Sequence, residues 1–315
     1  MNVKKILYTL FFLFLTYCIL THSQLSLYYA LSGLELWYGK MIPALLPFMI
    51  ISGIMIRLRL TEGFSSFLYP IIYPLFRVSK NVCYAIIMGF LCGFPMGAKT
   101  VADLYLRGMI SKREAEFLLS FCNNIGPVYF LSFALPLLHR KLTIPYLFGM
   151  YGVPLLYGMF LRYSAFRDLS INTCTKQLSH NRLIACSQNN KENLLNEIDD
   201  AINASIQSIL SLGGYMILFN LLNLIPHVLR GNPSVLLAPV FEITGGLNML
   251  KQRLPLYTLI LLPFGGFSCI AQTYSCIKNT DLSIKTYISH KLLLTLFTIL
   301  YYLLWLFLFP ASFMR

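Results

Sequence analysis

The sequence predicts an all-α fold: a polytopic integral membrane protein with two weak internal repeats and discontinuous transmembrane helices. Three observations carry this. Of 315 residues, 57% are hydrophobic and only 12% are charged, against about 25% charged in ordinary soluble chains. Apolar stretches recur at 6–20, 41–56, 82–98, 117–138, 142–161, 203–225, 254–271 and 288–309. These lie near the roughly 20 residues that a helix needs to cross a bilayer, and about seven to nine crossings follow. Several of the runs are interrupted by Gly, Pro or Asn where an ordinary span would continue.

In chain order, residues 1–40 read as an N-terminal anchor and an amphipathic segment. Lys4 and Lys5 precede the run "ILYTLFFLFLTYCIL", which resembles a signal-peptide core but has no small-residue cleavage site after it, so an uncleaved anchor with a cytoplasmic N terminus is expected. Residues 41–163 form the first membrane repeat. Residues 164–200 are polar and rich in Asn, Ser and Thr, a linker turning helical toward its end, and 201–315 form the second repeat. The repeats are read from two gapless matches in the same order. "SGIMI" at 52–56 matches "GGYMI" at 213–217, and "GFPMGAKT" at 93–100 matches "GFSCIAQT" at 266–273. Internal repeats of this kind build transporters whose site lies where broken helices meet.

The net charge of +13 does not point to nucleic acid, because the basic residues are scattered through loops. Pairs such as Arg57 and Arg59, Lys112 and Arg113, and Arg140 and Lys141 read as topology signals and lipid-headgroup contacts. They occur in most first-half loops and so do not fix the orientation of the later spans. The eight cysteines contain no C-x-x-C pair and mostly sit in apolar runs, as small buried hydrophobes. No zinc pattern, phosphate-binding glycine loop or nucleophile elbow is present, so neither an enzyme nor a cofactor or metal site is expected.

The break at "GFPMGAKT" is the first candidate site. Gly93, Phe94, Pro95 and Gly97 permit unwound backbone, which survives at membrane depth only against protein or a wet cavity. The helix that follows would aim free N–H groups and its positive end at an anion, with Lys99, Asp103 and Arg107 on one face. The alternative is that Lys99 snorkels from the end of a span. In the second half, Phe267, Gln272 and Thr273 occupy the matching positions, with Gln272 facing Lys99 in the alignment. Asn123 and Asn124 in "FCNNIGP" read either as amides lining a polar cavity or as a simple turn. Glu242, isolated among apolar residues in "PVFEITGGLN", is a candidate for proton coupling, with an interfacial loop as the alternative. Gly89, Gly93 and Gly97, spaced by four, also suit a close helix-packing face.

At these residues the chain resembles a known family. "GLELWYGKMIPALLPFMIISGIMI", "GFLCGFPMGAKT", "ISKREAEFLLSFCNNIGPVYF" and "FEITGGL" together resemble the YlbJ family of sporulation integral membrane proteins, also called stage V sporulation protein V, over about residues 30 to 305. The resemblance implies a nucleoside-recognition gate domain and transport of dipicolinic acid across the outer forespore membrane. The family's G-[FY]-P-x-G-A-K falls on Gly93, Phe94, Pro95, Gly97, Ala98 and Lys99, its Asn-x-x-Pro-like element on Asn123, Asn124 and Pro127, and its second-half acid on Glu242. The pair Asn123–Asn124 departs slightly from the family's version. The implied partners are membrane lipid and a small anionic aromatic substrate, with no nucleic acid; self-association or association with other sporulation membrane proteins stays open. A nucleoside-type transporter and a non-transporting scaffold of spore envelope assembly are the alternative functions.

Overall fold

The computed structural model describes residues 3–138, 144–169, 192–251 and 253–309, and these are helical with no strand among them. Helix α1 (Val3–Thr21) is followed by α2 (Ser23–Leu36), which runs through a π turn at Trp37–Met41 into α3 (Ile42–Arg57). The resulting rod of 35 residues is about 52 Å long at 1.5 Å per residue. The boundary read between residues 40 and 41 falls inside it. Short helices α4 (Thr61–Ser65) and α5 (Tyr69–Phe76) lead into α6 (Lys80–Cys92), with a bend of 102° between α5 and α6.

Three residues separate α6 from α7 (Met96–Leu106). Helix α8 (Lys112–Phe121) starts in a capping box, in which Ser111 accepts from the Glu114 N–H and Glu114 accepts from the Ser111 N–H. After a second break come α9 (Pro127–Leu137) and α10 (Ile144–Tyr163), each containing a π turn. The second half holds α11 (Glu192–Leu221), α12 (Leu224–Arg230), α13 (Ala238–Phe241), α14 (Ile243–Leu250), α15 (Pro255–Phe264), α16 (Gly266–Ile277) and α17 (Ile284–Leu308). The polar segment thus turns helical from residue 192. Its residues 170–191, with Cys174, Cys186 and His180, lie outside the described residues, as do Arg140 and Lys141.

Among the described residues, six helices are long and apolar enough to cross a membrane, or up to seven with the bent pair α5–α6. Six falls below the expected seven to nine and seven meets only its lower end, because the runs at 82–98 and 117–138 are each broken part-way. The α15–α16 junction is milder. Gly265 and Gly266 both take positive φ, yet Pro255–Ile277 still reads as one span of 23 residues.

The rod α2–α3 lies antiparallel to α11. Gly33 meets the Met216–Ile217 backbone, and the Trp37 indole covers Gly213 while its Nε1 donates to the Ile209 carbonyl at 2.9 Å. Gly53 faces Ala201, and Arg57 pairs with Glu197 at 3.2 Å and Asp200 at 3.1 Å. Small residues let the two backbones approach, as is usual where lipid offers no hydrophobic drive.

At the end of α10, buried Arg162 donates to four backbone carbonyls: Phe76 at 2.6 Å, Phe166 at 2.9 Å, Arg77 at 3.3 Å and Leu169 at 2.6 Å. It closes the frayed ends of α5 and α10 at once. Hydrogen bonds to a charged group are each worth about 1.5–3 kcal/mol. Arg162→Leu should therefore lower stability by about 3 kcal/mol or more, read as a fall of several degrees in the unfolding midpoint in detergent. Arg162→Lys, which cannot reach four carbonyls, should recover only part of the loss.

Candidate functional site

The two first-half breaks cross. Gly93 has φ +79° and its backbone lies against Gly126, so tightly that a Cβ on either residue would overlap the other strand of chain. Gly89 and Gly97 face Cys122 and Asn123 in the same way. The glycine stripe spaced by four is thus the packing face of α6 and α7 for residues 122–126. Phe94–Pro95 is a cis peptide, and the Phe94 N–H donates to the Asn124 carbonyl at 2.7 Å.

Asn123 is the hub of the crossing. Its Oδ1 accepts from the Ala98 N–H at 3.3 Å, and its Nδ2 donates to Thr273 Oγ1 at 2.9 Å and to the Tyr287 hydroxyl at 3.0 Å. One buried amide therefore joins α7, α16 and α17. Thr273 passes the connection on by donating to the Cys269 carbonyl at 2.8 Å. Asn123 and Asn124 lie in a real helix interruption, and their side chains are spent on protein.

The helix start at Met96 does not leave its amides free as the sequence suggests. Gly97 N–H bonds to the Gly93 carbonyl at 3.2 Å and Ala98 N–H to Asn123. In a low-dielectric interior an unpaired amide costs several kcal/mol, so the fold satisfies them internally.

Lys99, Asp103 and Arg107 do share a face. Lys99 pairs with Asp103 at 3.1 Å and Arg107 with Glu197 at 3.7 Å. The acids of α11 thereby offset the cations that the sequence left in excess. Lys99 and Asp103 line a polar cavity of about 290 Å³ together with Pro95, Gln272, Ser208 and Lys278. Its described lining carries two lysines and one acid. At the adjoining loop Asp281 accepts from Lys112 at 2.8 Å and Tyr105 at 2.8 Å. These bonds, Lys112 first, hold its carboxyl below the usual range.

A smaller, mainly apolar chamber of about 80 Å³ holds Phe94, Tyr129, Phe48, Glu242 and Thr244. Glu242 is buried and caps α14, accepting from Thr244 N–H at 3.1 Å, Gly245 N–H at 2.6 Å and Asn220 Nδ2 at 3.1 Å. Gln272, with its Nε2 donating to Ser268 Oγ at 2.9 Å, lines both spaces. Phe267 lies exposed on the outer side of α16 and lines neither.

Sequence reading missed Lys291. It is 3% exposed inside the span α17, and it donates to the Asn123 carbonyl and to Asn124 Oδ1 at 3.0 Å. Its ammonium also lies 4.7 Å from the Phe94 ring centre. No carboxylate among the described residues pairs with it. The signal was available, since a lysine within an apolar span is rare without a task.

Fold and site define the class: an all-α polytopic membrane protein whose interrupted helices cross beside a polar cavity. Over an alignment of 331 residues the chain is 28% identical to the sporulation integral membrane protein YlbJ of Bacillus subtilis (strain 168), covering 93% of this chain and 81% of that relative. This similarity supports its assignment to the YlbJ family and a membrane role in sporulation. No protein-family model matches the chain, and no solved structure matches it.

Lys291 and Asn124 should behave as one unit. Lys291→Met leaves two oxygens of the 122–126 break without their donor, and the expected loss is about 2–5 kcal/mol. Asn124→Ala in that background should cost much less than it does alone. A double-mutant cycle in detergent unfolding measures this, and a coupling below about 0.5 kcal/mol would count against the staple.

Proposed function

We propose that the protein is a membrane transporter of a small aromatic anion during endospore formation, with dipicolinic acid the substrate and the outer forespore membrane its place of action. The observation that carries this reading is the polar cavity where α7 and α16 meet, with Lys99 and Lys278 set against the single acid Asp103. Two carboxylates of a planar dianion suit two ammonium groups and nearby hydroxyls and amides. At about 290 Å³ the space is at the lower edge of ordinary small-molecule sites, about 300 Å³ upward. The flat faces of Phe94 and Tyr129 in the adjoining chamber suit an aromatic ring. Similarity to a relative named for sporulation supports the setting.

Proton coupling through Glu242 belongs to the same proposal. Its carboxylate borders the chamber, and Glu242→Gln should flatten the pH dependence of transport. An unchanged profile in stable Glu242→Gln protein would leave it with capping alone.

Lys99 decides between transport and a scaffold. Lys99→Gln recreates the residue at the matching second-half position and removes the charge. A lost charge-assisted hydrogen bond of about 1.5–3 kcal/mol corresponds to roughly ten- to more than hundredfold weaker binding. Lys99→Arg should do moderately better, because the planar fork differs from a compact ammonium. Dipicolinate content of spores, measured at limiting supply, is the readout. Normal accumulation with stable, correctly inserted Lys99→Gln protein would favour the non-transporting scaffold.

A further inference from the structure

Three cavities stack in order along the α3–α11 pair. Reading from the π turn into α3, Lys40, Ala44 and Phe48 border the apolar chamber, Met49 the wide polar cavity, and Gly53 and Arg57 a third space of about 50 Å³. Antiparallel α11 gives the same order in reverse, with Met216 at the chamber, Ser208 at the polar cavity and Ala201 at the third space. Neighbouring cavities share lining. The polar and third spaces share Lys99, Asp103 and Ala204, so they adjoin broadly. The chamber and the polar cavity share Leu212 and Gln272, both buried.

From Lys40 to Arg57 the helix rises about 25 Å at 1.5 Å per residue, close to the roughly 30 Å thickness of hydrocarbon. An exposed Lys40 stands at one end of the series, and Arg57 with Arg107, both paired with Glu197, at the other.

The geometry points to a single transmembrane pathway for a small anion, entered past Lys40 at one mouth and past the Arg57–Arg107–Glu197 cluster at the other, with one constriction at mid-depth formed by Leu212 and Gln272. It rests on the transport reading above and adds the route and its gate. Gln272 suits a constriction passing an anion: a neutral amide offers donors without the charge that would hold the anion there. When closed it is satisfied by Ser268. Leu212 supplies the apolar side of the seal, which a hydrated anion does not cross.

Native cysteines report on both compartments, because Cys269 lines the chamber and Cys276 the polar cavity. Full-length protein in oriented vesicles is treated with a membrane-impermeant, negatively charged methanethiosulfonate, and occupancy at each thiol is read by mass spectrometry. From the Arg57 side, Cys276 should react, and Cys269 about tenfold or more slowly. Leu212→Ala should raise Cys269 labelling from that side about tenfold, and Leu212→Trp should abolish it. Equal rates at the two thiols in the native protein, or no change at Cys269 in Leu212→Ala, would overturn the constriction. Cys122, buried and in neither lining, is the control for loosening. If Leu212→Ala exposes it, Gln272→Ala decides by the same criterion. Dipicolinate uptake in the same vesicles separates the two readings. The expected labelling without dipicolinate movement removes that substrate and leaves the pathway, whereas full dipicolinate movement through Leu212→Trp removes the pathway and leaves the substrate.

Discussion

The structure depends on one buried ammonium group. At membrane depth there is no water to satisfy an unwound backbone, so residues 122–126 can stay open only if protein supplies the missing donors. Lys291 supplies them from the last helix of the second half, to the Asn123 carbonyl and the Asn124 side chain. Asn123 is then fixed with its amide pointing at α7, α16 and α17, and Asn124 is fixed with its carbonyl toward the Phe94 N–H. The break at 93–95 is thus held by the one at 122–126. A cation suits this task better than a neutral donor because it can serve two oxygens and the face of Phe94 together. No carboxylate competes for it among the described residues, so the ammonium is committed to the break.

Open space follows from the same knot. Two helices that end and restart at a crossing cannot pack as two continuous rods would, and the ends of α6, α7, α9 and α16 leave gaps beside α3 and α11. The surrounding contacts are very close: glycines at 33, 89, 93, 97 and 126 bring backbones together, and Gly213 takes the Trp37 indole. Tight packing around and looseness at the centre make the cavities a property of this fold and not of poor packing.

Much of this was legible in the sequence. Composition and run length give the all-α membrane class, and "GFPMGAKT" marks the position of a break because Gly and Pro there serve no ordinary span. The glycine spacing marks the packing face. What was not legible is where polar groups spend their hydrogen bonds. Asn123 and the first amides of α7 look free when read locally, yet they satisfy each other across 25 positions of chain. Glu242 likewise reads as an isolated acid until three donors, one of them from Asn220, close on it. Lys291 could be read as a lysine inside the run 288–309, but only tertiary contact shows that it is spent on Asn123 and Asn124. Phe267 failed in the opposite way, because alignment to Phe94 says nothing about which side of α16 it faces.

The two halves are matched in sequence but unequal in chemistry, and the inequality has a physical sense. Along the α3–α11 pair the relation between 52–56 and 213–217 holds only loosely: Gly53 meets Ala201, whereas its counterpart Gly214 has no neighbour within 4 Å and it is the adjacent Gly213 that meets Trp37. At the breaks the relation fails. The first half has a full interruption with a charged Lys99 beyond it, whereas the second bends at Gly265 and carries neutral Gln272. Lys99 stands in the wide polar cavity, with Asp103 3.1 Å away and its side chain 13% exposed. Gln272 stands 6% exposed between two compartments, where an ammonium would lose most of its solvation. Exchanging the two residues would therefore put the charge where desolvation is greatest and the amide where an anion needs a partner; the sequence departs from its own repeat at the position where strict symmetry would be costly.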